Sequence, residues 1–67
     1  MYSNLKSAMH ADRIEVVDLA NVLGLHRNTI SGKINGRQDF LVTEAMAIHS
    51  EFFSRYDFRW LFRKSIQ

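Results

Sequence analysis

Apolar residues recur at intervals of three and four along the chain, and the strict alternation typical of β-strands is absent. This spacing predicts five short α-helices joined by tight connections. Their predicted ranges are 3–12, 16–23, 27–35, 42–53 and 57–64. The pattern therefore indicates a compact all-α fold in a single domain over residues 1–67.

Two glycines mark predicted helix ends. Gly24 follows the second helix, where a left-handed turn is expected, and Gly36 follows the third as its C-terminal stop. Ser3 is the predicted N-cap of the first helix. The residues in front of the next three helices are not favoured caps: Glu15, His26 and Leu41.

The most informative stretch is 19–36, which joins the second and third helices. Ala20 is small, as a close helix crossing requires, and Gly24 makes the turn. Three apolar side chains then hold the third helix at a fixed angle, namely Leu23, Leu25 and Ile30. The residues expected on the opposite, exposed side are Arg27, Asn28, Ser31, Gly32, Lys33 and Asn35. A helix exposed in this way fits the major groove of DNA.

This stretch contains the pattern L-A-x-x-L-G-hydrophobic-x-x-x-T-I-S and closes at Gly36. It resembles the helix-turn-helix of lambda-repressor-like (Cro/repressor, Xre-type) domains, and the resemblance to small phage or prophage regulators covers about residues 4–63. The resemblance implies a compact five-helix lambda-repressor-like DNA-binding domain, with the helix-turn-helix at about 16–35.

Arg27 and Asn28 correspond to the base-reading positions of that family. Arginine pairs bidentately with guanine, and asparagine with adenine. The alternative is that both are ordinary surface residues or touch only phosphates. Ser31, one turn later, is a third candidate reader. Gly32 would let the backbone approach the groove, unless it is simply a tolerated glycine.

Candidate phosphate contacts border the groove-facing side. They are His26, Thr29, Lys33, Asn35 and Arg37. His26 would donate its ring N–H near the helix N-terminus, and the alternative is a solvated histidine. The chain departs from many relatives at Val16, where they carry a phosphate-binding glutamine. It also departs at His26, where they carry serine or threonine, and at Gly32, where they carry a long polar side chain.

Charge is unevenly distributed along the chain. Residues 26–37 carry a net charge of +3 and no acid, whereas residues 1–25 carry −1 and residues 38–58 carry −3. The tail, 59–67, returns to +3. A basic island between acidic stretches is typical of a polyanion-binding face, and the alternative is a solvated helix face of mixed charge.

The C-terminal third is rich in aromatic residues. Core packing is the default role for Phe52, Phe58 and Phe62, but five short helices are not expected to bury every ring in this region. Rings left exposed would mark a contact with a partner. Because helix-turn-helix proteins commonly read palindromes as two-fold dimers, a second copy of the chain is the expected partner, contacted through the fourth and fifth helices. The candidate dimer contacts are Phe58, Trp60 and Leu61.

The sequence argues against several other classes of protein. It has no cysteine, three widely spaced histidines, no paired carboxylates and no nucleophile elbow. Seven residues separate Gly24 from Gly32, where a phosphate loop needs four. We therefore expect no enzymatic activity, metal site, cofactor or small-molecule substrate. With neither a long apolar run nor a signal pattern, we expect a cytoplasmic protein without membrane contact.

These features predict a sequence-specific regulator of transcription that binds double-stranded operator DNA as a homodimer, in the manner of a phage-type repressor or Cro-like protein. The alternative is a protein-interaction module of the same fold, such as an antitoxin or antirepressor. Val16 and Gly32 favour the alternative, and the acid-free stretch 26–37 favours DNA.

Overall fold

The computed structural model describes residues 1–65, which form five α-helices and no strand. The helices are α1 (Ser3–Asp12), α2 (Val16–Leu23), α3 (Arg27–Ile34), α4 (Val42–Phe52) and α5 (Phe58–Leu61). The all-α prediction is confirmed, and the first four helices end within one residue of the predicted positions. The last is shorter than expected, with only four residues. Within residues 1–65, no helix is long and apolar enough to cross a membrane.

The core takes side chains from all parts of this sequence. Six side chains have no exposed surface: Leu5, Leu19, Ile30, Ile48, Phe53 and Leu61. Burying each contributes about 1.5–3 kcal/mol before the entropy cost of folding. Phe52 was predicted to lie in the core but is only half-buried. Phe53, just past the end of α4, is buried in the core instead.

Left-handed residues end both of the first two helices. Gly24 has φ +66°, as its predicted turn requires. Arg13 has φ +58° and ends α1 in the same way, with Ile14 N–H donating to the Met9 carbonyl at 2.9 Å. A side chain in this conformation costs about 1–2 kcal/mol. The turn after α1, at Arg13, is therefore strained, whereas the turn after α2, at Gly24, is not.

Gly36 stops α3, as predicted, with φ +90°. The following Arg37 N–H donates back to the Gly32 carbonyl at 2.9 Å, which closes the helix end. A Cβ at position 36 would lie 2.7 Å from the Met1 nitrogen, so only glycine fits here without a shift.

Ser3 is not the N-cap of α1, contrary to the prediction. Tyr2 occupies the cap position and makes no side-chain capping bond. Its ring is buried in the core, and its N–H donates to the Ile34 carbonyl at 2.9 Å. The Ser3 hydroxyl instead hydrogen-bonds with that of Ser65. The start of the chain is thus held by tertiary contacts rather than by a local cap.

Acidic residues in the first turn compensate for the disfavoured caps of α2 and α4. Glu15 N–H donates to the Asp18 carboxylate at 2.8 Å, and Leu41 N–H donates to the Glu44 carboxylate at 2.9 Å. Each carboxylate also lies near the positive end of its helix dipole. A cap position can therefore hold an unfavoured residue when the third residue of the helix is acidic.

The packing of α2 positions α3. Ala20 is buried on α2, which packs against both α3 and α4, while α1 packs against α3 and α5. Leu23 and Leu25 pack against the core on either side of the turn. One side of α3 is thereby fixed inside the molecule.

Candidate nucleic-acid interface

The exposed side of α3 carries a line of polar residues. Ile30 and Ile34 lie in the core with 0% and 4% of their surface exposed. Beside this buried side lie four polar residues that we call the α3 strip: Arg27, Asn28, Ser31 and Asn35. Ser31 is half-buried and the other three are exposed. Because steps of three and four residues follow one helix face, the strip forms a continuous surface. The predicted exposure of Arg27 and Asn28 is confirmed.

His26 caps α3 through its side chain. Its Nδ1 accepts a hydrogen bond from the Asn28 N–H at 3.0 Å. Because the accepting nitrogen carries no proton, the proton of the neutral ring is on Nε2. The ring is exposed, so Nε2–H is free to donate outwards next to the positive end of α3. The residue in place of the expected serine or threonine thus supplies both a cap and a donor.

Lys33 does not lie on the exposed surface, and its predicted exposure is wrong. It is 7% exposed, and its Nζ lies 2.8 Å from Glu44 Oε1 and 3.2 Å from the Asp39 carbonyl oxygen. The ammonium also lies 5.9 Å from the centre of the Phe40 ring. Lys33 therefore ties α3 to α4 and to the loop between them, and is not available to a phosphate.

The partner of Lys33 is ionised. Burial raises the pKa of Glu44, but the hydrogen bonds from Lys33 and from Leu41 N–H, together with the charge of Lys33, lower it further than burial raises it. The pKa of Glu44 therefore lies below its ordinary value. At neutral pH the carboxylate neutralises Lys33, and the basic island loses one of its three cations.

Gly32 is buried as well, so its predicted exposure to the groove is also wrong. The Arg37 side chain lies over it: a Cβ on Gly32 would be 4.0 Å from both Cβ and Cδ of Arg37. The small residue leaves room for Arg37 to cross the end of α3. Arg37 therefore covers the part of α3 where the resemblance to lambda-repressor-like domains predicted a long side chain from position 32.

The remaining candidate phosphate contacts differ in exposure. Asn35 and Arg37 are exposed, and Thr29 is half-buried. Within residues 1–65 the ion pairs are Lys33–Glu44, Arg55–Asp12 and Lys64–Asp39. Arg27 and Arg37 take part in none of these, so both guanidinium groups can meet an external anion.

The three predicted dimer contacts lie at different depths, and of these Leu61 is the one that is fully buried. Leu61 has no exposed surface. Trp60, expected to be exposed in a single copy, stacks on Tyr56 with ring centres 5.6 Å apart and planes 9° apart. Phe58 is half-buried, with its ring 5.4 Å from that of His49. The rings pack on one another. This region therefore leaves less aromatic surface exposed than we expected from five short helices.

The exposed apolar surface lies instead at the start of α4. Leu41, Val42 and Met46 expose 61%, 72% and 56% of their surface, and we call them the α4 patch. A shallow groove of about 320 Å³ adjoins it, lined by Val42, Met46, His49, Ser50 and Phe58. The signal in the sequence was Leu41-Val42, two apolar residues just ahead of the core-facing Ala45 and Ile48.

A second groove, of about 260 Å³, runs between α1 and α3. We call it the α1–α3 groove, and its lining residues are Lys6, Met9, Val16, Ser31, Ile34 and Asn35. It shares Ser31 and Asn35 with the α3 strip. Lys6 was not among the predicted site residues, because it lies in the net acidic first part of the sequence.

Comparisons of the chain with family models, with curated proteins and with solved structures gave no match.

Proposed function

We propose that this protein is a sequence-specific, double-stranded DNA-binding regulator of transcription with a lambda-repressor-like fold, of the phage repressor or Cro type. The observation that carries the proposal is the α3 strip. Its side chains are carried by a helix that is held in the core by Ile30 and Ile34. Base readout requires this combination, because side chains must reach the major groove from a rigid support.

Each residue of the interface has a role that suits its chemistry. Arg27 reads guanine and Asn28 reads adenine by bidentate hydrogen bonds, and Ser31 contributes a third contact one turn later. Around them, His26 Nε2–H and the Arg37 guanidinium bind phosphates on the two sides of the strip. Thr29 and Asn35 add neutral donors to these phosphate contacts. The protein acts in the cytoplasm by binding alone, without cofactor or catalysis.

Binding to duplexes at several salt concentrations tests this proposal. Fluorescence anisotropy on random duplex should show affinity that falls linearly with salt on a double logarithmic plot, with a slope of about −0.9 per phosphate contact. Selection from a random duplex library should then enrich one motif. A wild-type protein that binds no duplex at about 50 mM salt would rule the function out.

A second copy of the chain completes the proposal, and it contacts the first through the α4 patch and the adjoining groove, which Phe58 of α5 also lines. Val42 and Met46 both project from the surface and line the adjoining groove. In a two-fold pair, the projecting residues of each copy can enter the groove of the other. Two α3 helices then meet half-sites about 10 base pairs apart.

The α4 patch also favours a second candidate function, a protein-interaction module such as an antitoxin or antirepressor. Exposed apolar patches mark partner surfaces whether the partner is a second copy or another protein. The two functions differ in which surface matters. A duplex-binding protein loses its activity when Arg27 is replaced, whereas an interaction module loses it only when Val42 or Met46 is replaced.

A further inference from the structure

The α1–α3 groove combines an apolar floor with polar rims. Met9, Val16 and Ile34 supply side chains without hydrogen-bonding groups, and Ser31 and Asn35 form the rim on α3. Lys6 forms the rim on α1 and is the single charged residue among those lining the groove.

The ammonium of Lys6 is free to bind an anion. Lys6 is exposed, and it takes part in none of the ion pairs within residues 1–65. The one acid in α1, Asp12, is engaged by Arg55 and by the Tyr56 hydroxyl, which donates to it at 3.2 Å. No carboxylate on its own helix therefore competes for Lys6.

Two further polar residues lie near the end of α1. His10 follows Lys6 by one helical turn, and Arg13 comes after the helix has ended, in the left-handed conformation. Both are exposed, and neither takes part in an ion pair within the described residues. They line a different groove from Lys6, so Lys6 is the cation that faces the α1–α3 groove.

We propose that Lys6 binds a DNA backbone phosphate at the mouth of the α1–α3 groove, with Asn35 donating from the opposite rim. The inference rests on the proposed function and adds a phosphate contact outside α3 and its flanks. The apolar floor suits the deoxyribose attached to that phosphate, because the carbon atoms of the sugar can pack against Val16 and Met9. A free inorganic phosphate would gain nothing from this floor.

Replacing Lys6 by glutamine tests the inference. Lys6→Gln should weaken binding to cognate and scrambled duplexes by the same factor, because a phosphate contact carries no sequence information. The salt slope should become shallower by about 0.9, so a fourfold rise in salt weakens the variant about 3.5-fold less than wild type. Lys6→Arg should keep the wild-type slope. Unchanged thermal melting confirms that the exposed substitution leaves the fold intact.

Arg59→Gln is the matched control, since it removes the same charge from α5. That helix packs on the side of α1 that bears Asn4, whose side chain donates to the Trp60 carbonyl at 2.8 Å. Lys6 lies two residues further, roughly 200° around the helix. Arg59→Gln should therefore leave the salt slope unchanged. Equal losses of duplex affinity for Lys6→Gln and Arg59→Gln would show that the effect depends only on net charge, and would overturn the inference.

The remaining outcomes separate this inference from the function on which it rests. If Lys6→Gln behaves as wild type while Arg37→Ala weakens binding, the Lys6 contact is wrong and the DNA-binding function stands. If wild type binds no duplex, both are wrong. NMR shifts of the Asn35 side-chain amide should move on adding duplex and stay in place on adding millimolar inorganic phosphate. Saturating shifts with inorganic phosphate alone would make the groove a small-anion site and overturn the inference.

Discussion

At the scale of single residues, Arg27 and Arg37 carry the same charge but stand in different places. Arg27 begins α3 within the α3 strip, whereas Arg37 follows Gly36 and lies across Gly32 at the other end of the helix. Both are exposed and free of ion pairs within residues 1–65. This difference in position is the reason for proposing a base contact for Arg27 and a backbone contact for Arg37.

Arg27→Ala should reduce discrimination more than general affinity. One lost bidentate contact costs about 1–3 kcal/mol on the cognate site and little on other sequences. Competition binding against cognate and scrambled duplexes measures the difference. Equal losses on both would make Arg27 a phosphate contact.

Arg37→Ala should weaken binding to every sequence alike and make the salt slope shallower by about 0.9. Its side chain also covers Gly32, so the melting temperature of the variant is measured alongside the affinity. A folded variant whose salt slope matches wild type would place Arg37 outside the interface.

At the scale of the helices, the Lys33–Glu44 pair joins the side of α3 away from the strip to the first turn of α4. Glu44 accepts from Lys33 at 2.8 Å and from Leu41 N–H at 2.9 Å, so one carboxylate serves as both ion-pair partner and helix cap. The pair fixes how far α3 can rotate relative to α4, and with it the direction in which the strip points.

Glu44→Gln should destabilise the protein by about 1–3 kcal/mol at neutral pH, the usual range for hydrogen bonds to charged groups. Because folding lowers the pKa of Glu44, its contribution is full above the unfolded value of 4.5 and is lost as pH falls through the folded pKa. Denaturant unfolding between pH 7 and pH 3 should therefore show the difference between wild type and variant shrinking in acid.

The control for that series is Glu51→Gln, also on α4, where the carboxylate is exposed and makes no ion pair within the described residues. It should change stability little at any pH. A difference between wild type and Glu44→Gln that stays constant down to pH 3 would show that the ionisation of Glu44 does not matter for stability.

At the scale of the whole molecule, the surface divides into a polar face built on α3 and an apolar face built on α4. Leu41, Val42 and Met46 expose more of their surface than other large hydrophobic residues of the described chain. The C-terminal aromatic rings are mostly half-buried and pack on one another. Leu61 has no exposed surface, and its helix, α5, packs against α1. Association with a second copy is therefore expected at α4.

The double variant Val42→Gln, Met46→Gln should fold as wild type but lose self-association, because both side chains are more exposed than buried. Sedimentation at micromolar concentration, with and without an operator of two half-sites, measures the change. Val17→Gln on α2, at a position 46% exposed, is the control and should associate normally. A wild-type protein that is monomeric in both conditions, and binds one half-site as tightly as two, would contradict the dimer.

The sequence by itself determined the five helices and the ends of α2 and α3. These features depend on residues close together in the chain: the three- and four-residue spacing of apolar side chains, and glycines at positions 24 and 36 with positive φ. The exposure of Asn28 was predictable for the same reason, since Ile30 and Ile34 define the buried side of the helix. Arg27 lies nearer that side, and it is exposed as the first residue of α3.

Only the tertiary structure decided which of the remaining polar and aromatic side chains are free to contact another molecule. Lys33 is removed from the surface by Glu44, eleven residues away, and Gly32 is covered by a side chain from beyond the helix end. Trp60 is covered by Tyr56, and Lys6 reaches the site because α1 packs against α3. The period of a helix shows which side faces inwards, but the partners that neutralise or cover a side chain come from other elements. Their positions depend on how those elements pack.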